Sequence, residues 1–110
     1  MGVKVLNIIP SKVAENSQTT QFTAEANTTI DKFTVTNTSA AVAKFSCNLV
    51  LVGGTAASSN LIIKEKSISA GETYVCPELV GHSLESKSFI STLSDTAGAL
   101  TIRASGREIT

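Results

Sequence analysis

Cys76, Glu78 and His82 lie almost side by side in the stretch SISAGETYVCPELVGHSLESKSFIS, which runs from Ser67 to Ser91. A thiolate, a carboxylate and an imidazole are the donor types of a zinc site, and a thiol beside a histidine also pairs a nucleophile with its base. The rest of the chain completes neither. A structural zinc ion takes about four such ligands, whereas the 110 residues hold two cysteines and one histidine in total. The other cysteine, Cys47, alternates with Phe45, Leu49 and Leu51, and free cysteine in such a setting behaves as a small core hydrophobe. A Cys47–Cys76 disulfide is geometrically open but disfavoured in a chain made in a reducing cytosol. His82 has no orienting third group and no G-x-S-x-G elbow beside it, so it reads as an exposed turn residue.

Other chemistries fare no better. GGTAASSN (53–60) has the glycines of a phosphate-binding loop but neither its Gly-Lys-Ser/Thr ending nor a following helix, and reads as a mobile connection. Glu72, Glu78 and Glu85 are scattered over turns rather than paired across a cleft. The five aromatics, Phe22, Phe33, Phe45, Tyr74 and Phe89, fall about one per strand, as core anchors do, and build no stacking platform for single-stranded nucleic acid. The expectation is a protein that is not an enzyme and has no cofactor or metal.

The elements that would position these residues are strands. Apolar residues alternate with period two, and no segment keeps a helical period for three turns. In AKFSCNLVLV, Phe45, Cys47, Leu49 and Leu51 share one face; in TTIDKFTVTN, Asp31, Phe33 and Val35 do. Asn37-Thr-Ser-Ala has the side chains of a hairpin turn, Gly71 supplies a residue free to take positive φ, and Pro77 with Gly81 limits PELVGH to one helical turn. Before Gly106 the apolar set is Leu100, Ile102 and Ala104, and Ile109 has the opposite parity. A bulge at Gly106 would therefore turn Ile109 inward. The fold class expected is all-β: a single jelly-roll-like β-sandwich of about eight strands.

The N-terminal segment fits that sandwich least well. Val3, Val5 and Ile9 share one parity and Leu6 and Ile8 the other, so a strand here is apolar on both faces. Edge strands are ordinarily protected by charge or brevity. Residues 1–17 are accordingly read as an N-terminal strand or arm that Pro10 and the polar SKVAENS allow to leave the body, and residues 18–110 as the sandwich domain. Val5, Leu6, Ile8 and Ile9 become candidates for an intermolecular interface, with a homo-oligomer expected.

Bulk composition narrows the partners. Nine basic and nine acidic side chains cancel, so no basic field marks a nucleic-acid binder. The charged fraction is 16%, below the roughly 25% usual for soluble domains, which suits a surface packed against neighbours. No apolar stretch approaches the ~20 residues of a membrane span, and MGVKVLNIIPSKVAENS lacks the core of a signal peptide. Ser17 lies too far from Gly2 for myristoylation, and the sequons at Asn27 and Asn37 matter only in a secreted chain. Synthesis in the cytoplasm, without a membrane partner, is expected.

From about Thr19 to Thr110 the order of motifs (FTVTNTSAAVAKFSCNLV, a small-residue loop, SISAGETYVCPELVGHSL, FIS, and ALTIRASGREIT) resembles a group of small virion proteins of tailed bacteriophages. The resemblance implies a compact, often jelly-roll-like sandwich without catalytic residues. It further implies a structural protein of the virion, made in the host bacterial cytoplasm. Its partners would be the phage major capsid protein or other virion proteins. A capsid decoration or cement role stands ahead of a small tail, neck or fibre adaptor, and ahead of a carbohydrate- or receptor-binding module. Within it, the Ser67–Ser91 stretch corresponds to a corner between strands, where Glu78 caps the turn or meets a neighbouring subunit.

Overall fold

The computed structural model of the chain describes residues 2–110. The alternating segments form strands β1 (Val3–Val13), β2 (Thr19–Thr23), β3 (Thr28–Asn37), β4 (Ala43–Val50), β5 (Leu61–Ile68), β6 (Thr73–Tyr74), β7 (Ser83–Leu84), β8 (Phe89–Ser94) and β9 (Leu100–Ile109). One sheet has the order β1-β9-β3-β6 with β7 also on β3; the other has the order β2-β8-β4-β5. Every pairing is antiparallel. β1 pairs with β9, β2 with β8, β3 with β6 and β7, and β4 with β5. These pairs nest, as if one long hairpin had been rolled up, and the β9–β3 and β8–β4 pairings close the roll. That is a jelly-roll β-sandwich. The ninth strand arises because β6 and β7 are two short halves of one strand, interrupted by residues 75–82.

The core lies between the sheets. Phe33 of β3 and Phe45 of β4 are fully buried and their rings meet across it, centroids 6.0 Å apart and tilted by 46°. Ile9, Ile30, Val35, Ile68, Leu79, Ile90, Leu100 and Ile102 fill the space around them. Burying a side chain of this size stabilises by about 1.5–3 kcal/mol. The Asn37 turn carries the side-chain bonding expected of it, but it arches from one sheet to the other instead of making a hairpin. Asn37 is completely buried and fully satisfied: its amide donates to Ala41 O and Ile68 O, each at 2.8 Å, and its Oδ1 accepts from Ser39 N and Ser39 Oγ.

Bulges change the expected phase in three places. β3 carries an extra residue between Ile30 and Lys32 where β9 has none. Asp31 therefore points outward while Ile30 and Phe33 both face the core, and the expectation that Asp31 shares the face of Phe33 fails. β1 is bulged between Leu6 and Ile9 and again between Ile9 and Lys12, which lets adjacent Ile8 and Ile9 both be buried. The reset expected at Gly106 thus belongs to its two neighbours. β9 keeps its own alternation through Gly106, and Ile109 is exposed rather than inward.

The same bulges correct the N-terminal reading. Residues 3–13 lie along β9 within the sheet, and Ile8 and Ile9 belong to the one hydrophobic core. The strand does not leave the body, and the boundary drawn after residue 17 does not separate two packing units. Ile8 and Ile9, at 3% and 1% exposed, are unavailable to a partner.

Candidate interaction surface

The Ser67–Ser91 corner comes apart as chemistry once its side chains are placed. Pro77 follows β6 and ends the ladder, and Cys76 turns the chain with φ of +47°. This left-handed conformation is unusual for a residue with a Cβ. Its thiol points into the core, where burial pushes its pKa up to about 12 and the Glu78 charge adds to the shift. Cys47 is buried in the same core, and burial, aided by the Cys76 thiol, pushes its pKa far above the ordinary range. Both thiols are free. Glu78 faces solvent and accepts a short hydrogen bond from the Tyr74 hydroxyl. That bond holds the Glu78 carboxyl below its usual range, and burial together with the same bond holds the Tyr74 phenol well above its own. Lys66 sits 4.9 Å over the Tyr74 ring. Leu79 plugs the corner from inside.

His82 is exposed, and its backbone rather than its ring carries the local structure. Ile30 N donates to His82 O at 2.9 Å and Gly81 N donates to Ile30 O at 2.7 Å, anchoring the corner to β3. Gly81 at φ +90° makes the turn. Cys76, Glu78 and His82 thus point into the core, along the surface toward Tyr74, and to solvent. Among the described residues no group of three or more His, Cys, Asp or Glu is placed to hold a metal ion, and no helix is long and apolar enough to cross a membrane.

His82 does border an open cleft of about 470 Å³ between the β4–β5 loop and the β7–β8 turn, with Leu49, Leu51, Ile62, Leu84 and Ser88 on its walls. Side-chain hydrogen bonds tie this loop back on itself: Asn48 Nδ2 donates to Asn60 Oδ1 at 2.7 Å and to Ala57 O at 3.0 Å, and Asn60 Nδ2 donates to Thr55 O at 2.9 Å. This folding-over covers Asn48, while the hydroxyl of buried Ser46 accepts from Glu65 N of β5 at 2.9 Å; alternation alone places both on a solvent face.

The outer face of the β1-β9-β3-β6 sheet is the more distinctive surface. Val3 and Val5 are 63% and 78% exposed, with Ile109 directly opposite Val3 and Arg107 directly opposite Val5. Arg107 forms a two-pronged ion pair with Asp31, its Nε at 2.9 Å from Oδ2 and its Nη2 at 3.0 Å from Oδ1. Asp31 and Lys32 in turn border a recess walled by Val75, Pro77 and Val80. One face therefore carries two exposed apolar wings separated by a bidentate charge pair. Of the interface candidates, Val5 lies in one wing, Leu6 is half-buried beneath it, and Glu78 stands on the corner that carries the other. Val75 and Val80 are not singled out by the sequence pattern because each depends on how the corner turns, and Ile109, expected inward, joins the outer face because β9 keeps its alternation.

Comparison by sequence finds no matching family model and no matching curated protein. Comparison by structure finds a likeness to a chain in the structure of infectious bursal disease virus, Gx strain, with a TM-score of 0.59 at 14% identity. The likeness is one of fold. It covers 96% of this chain and 32% of that one, so the present chain spans about a third of its neighbour's length. The likeness concerns the course of the backbone, at a sequence distance where side chains need not correspond.

Proposed function

We propose that the chain is a structural protein of a tailed-bacteriophage virion, seated on the head shell as a decoration or cement protein. The observation that carries this reading is the combination of a nested two-sheet jelly roll with Val3, Val5 and Ile109 exposed on one sheet's outer face and Val75 and Val80 exposed beside it. A cement protein works by burying such groups against neighbours, and a closed sandwich presents them without rearranging. The low charge fraction and zero formal net charge favour close packing of many copies. The likeness in fold to a chain of a virus structure supports a virion role, and the order of motifs supports the phage assignment. In this reading Val5, Leu6 and the Glu78 corner contact shell subunits, with Val75 and Val80 beside them.

The test is location and copy number in purified particles. Mass spectrometry against the major shell protein, with gold-labelled antibody in electron micrographs, should find about as many copies as shell positions, spread over the head. A few copies at the neck or on fibres would move the protein to the adaptor role. Absence from particles would end the virion reading.

A further inference from the structure

The nested fold leaves each sheet with two edges, and three of the four are blunted. β6 and β7 have two residues each and β2 has five. β5 is broken by register shifts, by Glu65 at φ +47° and by the charged run Lys64-Glu65-Lys66. These are ordinary protections against edge-to-edge pairing. β1 is the exception over its first half. Beyond Leu6 it too is guarded, by two bulges and by Pro10.

Hydrogen bonding shows which groups of that half are free. Gly2 N donates to Thr110 O at 2.7 Å and Thr110 N donates to Gly2 O at 2.9 Å, so Gly2 and Thr110 exchange both bonds. In an antiparallel ladder such pairs alternate with non-bonded ones. The paired residues Lys4 and Glu108, and Leu6 and Gly106, therefore bond, whereas Val3 opposite Ile109 and Val5 opposite Arg107 do not. Ile109 N donates instead to Asn27 O at 2.9 Å, on the far side of β9. Val3 and Val5 thus turn their backbone N–H and C=O groups away from the sheet, and their side chains are the two most exposed parts of the apolar wing.

We propose that the partner of this edge is a second copy of the same edge, paired antiparallel about a two-fold axis at Val5. A dyad there sets Val5 against Val5 of the partner subunit in a doubly hydrogen-bonded pair. It also sets Val3 against the partner's Asn7, and Lys4 against the partner's Leu6. Shifting the dyad to Lys4 would place two lysines directly opposite each other, which destabilises a strand pair. Moving it past Asn7 brings the bulges and Pro10 into the ladder. The Val5 register avoids both. It joins Val3, Val5 and Ile109 of both copies into one apolar stripe and fuses the two sheets into a continuous one, β6-β3-β9-β1 running into its symmetry mate. With nine positive and nine negative side chains per copy, no net repulsion opposes the approach. The interface is isologous, as a two-fold axis requires. It stands independently of the virion reading, since it rests only on this chain's edge.

Sedimentation of the full chain, together with two cysteine variants, tests the register. The unaltered chain should sediment as a dimer. Val5→Lys, at a position too exposed to disturb the fold, should sediment as a monomer with an unchanged melting curve. In the proposed dimer the two Val5 Cα atoms are about 5.5 Å apart, within the span of a disulfide. Two Val3 Cα atoms are instead offset by roughly 13 Å. Mild oxidation should therefore cross-link Val5→Cys into a dimer on a non-reducing gel and leave Val3→Cys uncross-linked, the buried Cys47 and Cys76 taking no part. A monomeric unaltered chain at all concentrations, a dimeric Val5→Lys, or equal cross-linking at both positions would overturn the proposal.

Discussion

Gly106 approaches Thr29 so closely that a Cβ on the glycine would stand 2.1 Å from the Thr29 carbonyl oxygen and 2.4 Å from Ile8 Cδ1. The glycine lies where bulged β3 and bulged β1 both press against β9, and its backbone is otherwise ordinary strand. The missing side chain is thus a matter of space rather than of dihedral freedom. Gly106→Ala should cost about 3 kcal/mol or more, because one neighbour is main chain and cannot step aside. Gly53→Ala, where nothing lies within 4 Å, meets no such clash and carries only the smaller cost of a Cβ at φ +80°. Chemical denaturation of the pair checks this, and equal stability of the two variants would show that the bulges can shift.

Phe45→Ala should cost ~3–5 kcal/mol, since the ring is wholly enclosed and faces Phe33 across the sandwich. Urea unfolding with an unchanged m-value is the measurement. A cost below about 1 kcal/mol would mean that the cavity collapses freely, which a two-sheet core stapled by long strands does not readily do.

Deleting residues 2–10 should abolish folding rather than release a soluble domain. The deletion removes Ile8 and Ile9 from the core and uncovers one long side of β9. Loss of cooperative melting and of dispersed amide resonances would report it. A folded truncated chain would show that β1 is dispensable to the monomer.

The native thiols should resist reagents. Only the thiolate attacks, and burial holds Cys76 at about 12 and Cys47 higher still. At pH near 8, a disulfide reagent should label neither group until denaturant is added. Fast labelling of either would place it at the surface.

Acid should weaken the fold in a window traceable to Glu15. Hydrogen bonds from Gln21 and Lys12 lower its pKa from 4.5 to about 2. A depressed native pKa contributes stability above the unfolded value, and the contribution is lost as pH falls from about 4.5 toward about 2. Because the Lys12 and Glu15 side chains are 38% and 40% exposed, water screening keeps the effect below about 1 kcal/mol. Glu15→Gln should flatten this part of the stability-against-pH curve; an unaltered slope would remove Glu15 from the account.

The strands were legible in the sequence because alternation is a local signal. Phe33, Val35, Phe45 and Cys47 stand on the core face where period two places them, and Gly71 and Gly81 take the positive φ that their turns demand. The misread side chains share a different cause. Asp31 is turned outward by the bulge in β3, and Ile109 stays outward because the bulges fall in β1 and β3 rather than in β9; a bulge records how one strand fits another far away in sequence. Asn48 is covered by a loop whose return is fixed by Asn60, and buried Ser46 is bonded to Glu65 N where β5 bulges. The N-terminal strand was recognised as two-faced, but whether the second face is covered by this chain or by another depends on the path of β9, more than ninety residues downstream. Of the candidate surface, Val5 was readable, whereas its alignment with Arg107, Asp31 and Val80 required the register.

The nesting of β1 with β9 has a consequence for the order in which the molecule can be born. On a ribosome, β1 emerges first and its only sheet partner last among the strands of the sandwich. Until β9 arrives, Ile8 and Ile9 have no sheet to lie in, and both edges of β1 are bare. The innermost pair, β4 with β5, closes the shortest loop and can form early, so assembly proceeds outward from that pair and ends at the termini. From the emergence of β1 to that of β9, Ile8 and Ile9 are therefore open to whatever else in the cell can shelter an unpaired apolar strand.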